Sequence, residues 1–226
     1  MRFVFFIAIL LSVSVIGSPV RSSLGAERNK LSTSLPYNEV EYLQTDGQAY
    51  IDTGVVPANG SSFRADMRFG YASGSVGRRF LVADSNPAYA HYCEINQYNR
   101  FSVNGLNTLP ILSEDTMYDG YLVIKGRESV EIGCTVNGKD YSDTTSSYMS
   151  DSFSTFMLFR LNGNFAGAGQ RIGPCTISVN GIVVLEFVPI CFINEGNQSE
   201  GAMYEKISGL LYRNAGTGSF LIGPEV

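Results

Sequence analysis

The sequence predicts an all-β chain whose short antiparallel strands have the spacing of a β-sandwich or jelly roll, making one domain over residues 39–226. Three observations carry this. Short runs of Val, Ile, Tyr and Phe keep ending at Gly or Asn, and a 3.6-residue apolar rhythm is scarce. Glycine numbers 24, tyrosine 13 and phenylalanine 14, while tryptophan is absent and only 16% of residues are charged. Val-Asn-Gly recurs at Val103, Val136 and Val179, each time beside a β-rich run. Asn-Gly tolerates the positive φ angles of a two-residue type I′ turn, so each copy marks a hairpin. The spacing between copies is unequal, which excludes a solenoid repeat.

The chain opens with Met1-Arg2, an uncharged run over residues 3–16, and then small residues. A basic start, an apolar stretch short of the ~20 residues of a membrane span, and a small-residue exit predict a signal peptide. It is expected over residues 1–22, with cleavage between 17 and 26. The expected location is secreted or extracytoplasmic (periplasm or cell surface), with no transmembrane segment in the mature chain. Residues 23–38 are polar and serine-rich and read as a flexible linker.

Residues 40–43 and 49–53 are two strand halves pivoting on Asp46-Gly47. Between 62 and 69, Phe63, Ala65, Met67 and Phe69 alternate with Ser, Arg, Asp and Arg, as in a strand with one wet face. Strands are then expected at 79–83, 89–95 and 100–103. Residues 120–125 read as a buried strand. Val130, Ile132, Cys134 and Val136 alternate with polar or small residues before Asn137-Gly138. Residues 155–160 form a further strand before a loose loop to Gly169. Residues 175–179 and 182–188 flank Asn180-Gly181. The second arm is apolar on both faces apart from Glu186, as expected of a covered strand in mid-sheet. With residues 201–209 and a closing strand over 217–226, the count reaches about ten to twelve strands.

A chain of this length buries roughly 70% of its extended surface on folding, so its core needs no metal or disulfide. The four cysteines, Cys93, Cys134, Cys175 and Cys191, suit an oxidising compartment and permit three pairings. They equally suit a role as small buried hydrophobes. With no Cys-x-x-Cys and one histidine, they do not form a zinc pattern. The formal charge is −5, and no basic cluster exceeds Arg78-Arg79, which argues against nucleic acid as a partner.

Three motifs together resemble a known family: Glu41-Tyr-Leu-Gln-Thr-Asp-Gly-Gln-Ala-Tyr-Ile-Asp-Thr-Gly54; Phe187-Val-Pro189; and Gly201-Ala-Met-Tyr-Glu-Lys-Ile-Ser-Gly-Leu-Leu-Tyr-Arg-Asn214 with Gly216-Thr-Gly-Ser-Phe-Leu-Ile-Gly-Pro-Glu-Val226. They are similar to the laminin-G-like members of the concanavalin A-like lectin/glucanase superfamily, found in bacterial secreted and surface proteins and in phage structural proteins. The resemblance implies a jelly roll whose first and last strands are adjacent. It brings no catalytic residues for this branch.

The chemistry of the chain points to binding more than to catalysis. Retaining glucanases of this superfamily carry Glu-x-Asp-x-x-Glu, which sets two carboxylates about 5 Å apart on one strand face. That run is absent here, and Glu39/Glu41, Glu114/Asp115 and Glu128/Glu131 lack its spacing. His91, the sole histidine, has no Gly-x-Ser-x-Gly elbow beside it. Gly167-Ala-Gly169 and Gly216-Thr-Gly218 do not join a buried strand to a helix as a phosphate loop would. The clusters Asp84/Asn86, Asp140/Asp143 and Asp115/Asp119 match no calcium-loop spacing. No cofactor is expected, and calcium is the one metal that the family resemblance leaves open. Sugar recognition needs aromatic faces together with planar amides or guanidinium groups. Tyr89, Tyr92, Asn96, Tyr98 and Arg100, with Asn162 and Asn164, make up the candidate patch. The expected role is a non-catalytic binding or adhesion module whose partner is a glycan or surface protein. A structural or protein-interaction domain is one alternative, and a glycoside hydrolase with displaced carboxylates is the other.

Overall fold

A computed structural model of the chain describes residues 37–58, 60–75, 79–84, 92–103, 109–126, 129–146, 155–160 and 167–226, all within the unit Leu35–Val226. Every regular element among them is a strand. In chain order these are β1 (Asn38–Glu39), β2 (Leu43–Thr45), β3 (Ile51–Asp52), β4 (Ser62–Tyr71), β5 (Arg79–Asp84), β6 (Tyr92–Ile95), β7 (Phe101–Val103) and β8 (Met117–Lys125). They continue with β9 (Ser129–Val136), β10 (Lys139–Ser146), β11 (Phe156–Leu158), β12 (Gln170–Val179), β13 (Ile182–Ile193), β14 (Ser199–Glu205), β15 (Leu211–Tyr212) and β16 (Phe220–Ile222). The total exceeds the expected ten to twelve because several pieces hold only two or three residues. Pairing partners define such short pieces, and composition does not reveal them.

Two antiparallel sheets result. The larger has the path β10-β9-β8-β4-β12-β13-β14-β15, with β1 beside β13 and the pair β2–β16 beside β12. The smaller runs β3-β11-β5-β6-β7. Both Asn-Gly turns among the described residues are hairpins with the expected left-handed backbone: φ is 52° and 73° at Asn137-Gly138, and 51° and 78° at Asn180-Gly181. The Asp46-Gly47 pivot does something different from a hairpin. It sends β2 into the larger sheet and β3 into the smaller, so the two halves of the first motif never pair with each other.

The alternation read over residues 62–69 places Phe63, Ala65, Met67 and Phe69 inward, all buried. Phe63 stacks on Phe156 of β11 with ring centroids 3.8 Å apart, and Phe69 meets Phe101 of β7 at 4.5 Å. These contacts join the two sheets face to face. Of the cysteines, Cys93, Cys134 and Cys175 are buried free thiols, and Cys191 is a half-buried one. Burial pushes Cys93 up to about 12 and Cys134 to about 11, which leaves them unreactive core residues.

The N-terminal and C-terminal motifs are laced together. β16 pairs with β2 through Phe220–Thr45, Leu221–Gln44 and Ile222–Leu43, and Val40 bridges to Glu225. Asp46 reinforces the join. Its Oδ1 accepts from the Gln48 and Ala49 amides at 2.8 and 3.0 Å, and its Oδ2 from the Ser219 amide at 2.7 Å. Burial pushes the Asp46 carboxyl upward, but these amides outweigh it and hold the group below the usual aspartate value. Asn214 works from the other side, accepting from the Tyr50 amide at 3.1 Å and donating to the Gly218 carbonyl at 2.6 Å. A Cβ at Gly216 would collide with the Gln48 carbonyl, and one at Gly218 with the Asp46 carboxylate. Gly216-Thr-Gly218 is therefore glycine-rich for close approach to the first motif, which accounts for its superficial likeness to a phosphate loop.

The covered strand expected over 182–188 is covered only in its second half. Ile182, Val183 and Val184 are 69%, 46% and 37% exposed. The β13–β14 ladder begins at Phe187–Glu205, so the hairpin tip projects past its neighbour, and a register slip between Ile177 and Ser178 leaves Val184 as a bulge.

Glu205, at the end of β14, is buried and caps the turn after it. It accepts from the Glu186 and Ile207 amides at 3.0 Å each, and from the Ser208 amide and hydroxyl at 2.6 and 2.5 Å. Burial raises its carboxyl, and these donors overcome that to hold it below the ordinary glutamate value.

Replacing Phe63 with alanine is expected to cost about 3–5 kcal/mol, read as a lower denaturant midpoint at unchanged m. Glu205 has a depressed folded-state value, so its stabilisation is complete above the unfolded value of about 4.3 and fades as pH falls through the folded one. Thermal melts at neutral and acid pH should show Glu205→Gln less stable at neutrality by about 2 kcal/mol, with the deficit shrinking on acidification.

Candidate functional site

The strand alternation that buries Phe63, Ala65 and Met67 turns Arg64, Asp66 and Arg68 to the opposite face of the larger sheet. Register extends this face across its neighbours. Asp66 lies opposite Tyr121 of β8 and Thr176 of β12, Arg68 opposite Asp119, Tyr121 opposite Gly133 of β9, and Thr135 opposite Asp140 of β10. The result is an open groove of about 710 Å³, lined by Asp66, Arg68, Asp119, Tyr121, Thr135, Asp140, Ser142, Pro174 and Thr176, with Met67, Gly120, Cys134 and Tyr141 also contributing.

Glycine and proline shape the groove. A Cβ at Gly133 would run into the Tyr121 ring, so the missing side chain lets that ring lie against the strand beside it. Gly120 is similarly closed in, by Phe69 on the core side and by the Gly133 carbonyl. Pro174 sits where the β4–β12 register slips between Ile172 and Cys175, a bulge at which a missing N–H breaks no ladder bond.

Tyr121 is held from two sides. Its hydroxyl donates to Glu131 Oε1 at 2.6 Å, and the Arg64 guanidinium lies 4.7 Å from the ring centroid. Arg64 is itself oriented by a two-point bond to Asp66, at 2.7 and 2.5 Å. Burial, and then the Glu131 carboxylate, push the Tyr121 phenol up to about 12. Arg68 pairs with Glu41 at 3.6 Å, and Asp140 accepts from the Thr135 hydroxyl at 2.6 Å. The groove therefore offers one fixed aromatic ring amid carboxylates, hydroxyls and a guanidinium, the group types that recognise polyhydroxylated ligands. Among the described residues, no three His, Cys, Asp or Glu side chains gather where a metal ion could sit. Asp115, from one of the clusters weighed for calcium, instead pairs with Arg171 at 2.8 Å.

The described members of the sequence-derived patch lie on β6 and in the β6–β7 turn of the other sheet. Tyr89, Asn162 and Asn164 fall outside the described residues. Tyr92 is half-buried on β6, and Tyr98 is exposed in the β6–β7 turn. Asn96 is buried, with its Oδ1 accepting from the Tyr98 amide at 2.9 Å and the Arg100 amide at 3.2 Å. Arg100 donates to the Leu109 carbonyl. Asn96 and Arg100 thus hold the turn together, and Tyr92, Asn96, Tyr98 and Arg100 are neighbours by sequence within residues 92–100. The grouping of Asp119, Tyr121, Gly133 and Thr176 on one face escaped sequence reasoning because they come from three strands that only pairing makes neighbours. A tyrosine next to a strand glycine was the one local signal.

No family model matches this chain, and no curated protein matches it. Among solved structures, the chain is similar to a mutant of the GH43 protein BlXynB from Bacillus licheniformis, at 8% identity and a TM-score of 0.34, over 49% of this chain and 26% of that one. It is also similar to scytalido-glutamic peptidase with a transition-state analogue inhibitor, at 9% identity and a TM-score of 0.35, over 69% of this chain and 95% of that one. A third likeness is to SCP-B, of the eqolisin family of peptidases, in complex with a tripeptide, at 9% identity and a TM-score of 0.36, over 81% and 100% of the two chains. Likenesses this distant say nothing about what this chain binds or does.

Ultraviolet titration should find a tyrosine ionising near 12 that is lost in Tyr121→Phe. In Glu131→Gln that ionisation should move down but not return to the ordinary value of about 10, because burial is the larger cause.

Proposed function

We propose that this chain is a secreted, non-catalytic binding module that takes an extracellular or cell-surface carbohydrate in the groove on the solvent face of its larger sheet. The observation that supports this best is the Tyr121 ring, fixed by Glu131, Arg64 and the bare backbone of Gly133, in a groove with Asp119, Thr135, Asp140 and Ser142 around it. An aromatic ring can pack the C–H face of a sugar while the polar side chains bond its hydroxyls. Weak single-site binding, strengthened by multivalency or by attachment to a larger assembly, fits an open groove of this kind. The pairing of β2 with β16, which joins the N- and C-terminal motifs, favours the concanavalin A-like, laminin-G-like jelly roll suggested by those motifs. The leader over residues 1–22 supports export.

A second reading, a protein-contact domain of a surface assembly, is favoured by the bare Ile182-Val183-Val184 tip.

The test is a glycan array followed by calorimetry on the best hit, with and without calcium. Tyr121→Ala should weaken binding by about fivefold, the worth of roughly 1 kcal/mol of aromatic contact, while Tyr98→Ala on the smaller sheet should leave it unchanged. A loss with Tyr98→Ala alone would move the site to the sequence-derived patch. Silence on every glycan, beside a protein partner lost on Val183→Lys, would favour the second reading. Turnover of a glucan, abolished by Asp119→Asn, would make the chain a hydrolase.

A further inference from the structure

The two Asn-Gly turns among the described residues are alike in backbone and unlike in how they are held. In the β12–β13 turn, Asn180 Oδ1 accepts from the Ser62 amide at 2.9 Å and Asn180 Nδ2 donates to the Ser61 hydroxyl at 3.4 Å. The Asn180 amide also donates to the Ser62 carbonyl at 2.8 Å, and both strands of this hairpin lie inside the larger sheet. The β9–β10 turn at Asn137-Gly138 is exposed just as the β12–β13 turn is, and nothing lies within 4 Å of a Cβ placed on Gly138 or on Gly181, so the two turns differ only in their anchors. The Asn137 carboxamide makes no hydrogen bond with the described residues, and β10 is the end strand of the sheet path.

We propose that Asn137 is a site of spontaneous backbone modification, and that Asn180 is protected from the same reaction. The Gly138 backbone nitrogen attacks the Asn137 side-chain carbonyl carbon, forming a C–N bond while the bond to the carboxamide nitrogen breaks and ammonia leaves. The amide proton of Gly138 departs with it, giving a five-membered succinimide. Water then opens the ring at either carbonyl, leaving aspartate or isoaspartate. The overall change is one water consumed and one ammonia released, with no oxidant or reductant. Glycine favours the step because no side chain shields its nitrogen. A closed two-residue turn resists ring closure, so the reaction runs through brief openings, which come more easily at an end hairpin than at one pinned to β4.

The position gives the reaction a consequence. Lys139 and Asp140 follow the turn directly, and Asp140 lines the groove and accepts from Thr135. Isoaspartate lengthens the backbone of the turn by one carbon, which disturbs the Val136–Lys139 and Thr135–Asp140 register, and either product adds a negative charge beside Asp140.

The test ages the intact folded protein in mildly alkaline buffer and maps its peptides for isoaspartate. An unstructured peptide containing Val-Asn-Gly serves as the clock. Isoaspartate is expected at position 137 on the order of tenfold faster than at 180, since freeing Asn180 means giving up two side-chain hydrogen bonds. Asn137→Gln should abolish the signal at 137 and leave that at 180 unchanged. Equal rates at the two turns, faster reaction at 180, or no product at 137 while the peptide converts fully would each overturn the proposal. The measurement stands apart from any ligand, so failure of the carbohydrate reading would not touch it.

Discussion

The join between β2 and β16, near the two ends of the domain, is the constraint on which the rest of the structure depends. Leu43–Thr45 lies against Phe220–Ile222, and the Asp46 carboxylate spans the join by accepting amides from both motifs. Three charge-assisted hydrogen bonds to one carboxylate define a single geometry, because displacing it would leave several amides unpaired at once. β2 also pairs with β12 at Arg171–Gln44 and Ile172–Leu43, so the join sets where the long β12 can run. Arg171 ties that place down through Gln44 Oε1 at 2.8 Å, Asp115 at 2.8 Å and the Tyr42 ring.

From β12 the consequence reaches the groove. Its first residues pair with β2 and its later ones with β13, and the switch occurs at Gly173-Pro174, where the ladder to β4 also slips. Pro174 at this bulge forms one wall of the groove, and Thr176 lies just beyond it. The opposite wall is the β9–β10 hairpin, whose register is set by the Asn137-Gly138 turn. Between the walls, Gly133 lowers the floor and Tyr121 covers part of it. The floor has its core behind it, since Phe69 closes in on Gly120 from the side where the two sheets meet. A change in core packing would therefore reach the groove through one glycine.

Much of the fold could be read from residue order. The alternation over residues 62–69, the turns at Asn137-Gly138 and Asn180-Gly181 and the adjacency of the terminal motifs are local or motif-level signals that appear in the structure, while the turn expected at Asn104-Gly105 lies outside the described residues. The errors have one physical origin. Ile182–Val184 has the composition of a covered strand but lies beyond the end of its neighbour, and composition cannot say where a neighbouring strand stops. The halves of the first motif look like one interrupted strand yet enter different sheets. Likewise, nothing in the local sequence distinguished the cysteines buried in the core from cysteines placed for pairing.

What the sequence determined by itself was period and punctuation: which residues alternate, where a left-handed turn is affordable, and which glycines stand in rows. Those depend on neighbours one to four residues away, the range over which backbone sterics act. Only the tertiary structure decided that Asp66, Tyr121, Thr135, Asp140 and Thr176 share one face and enclose one groove. They come from five strands, and which strand lies beside which follows from sheet order and register, relations between segments that no single stretch of chain contains.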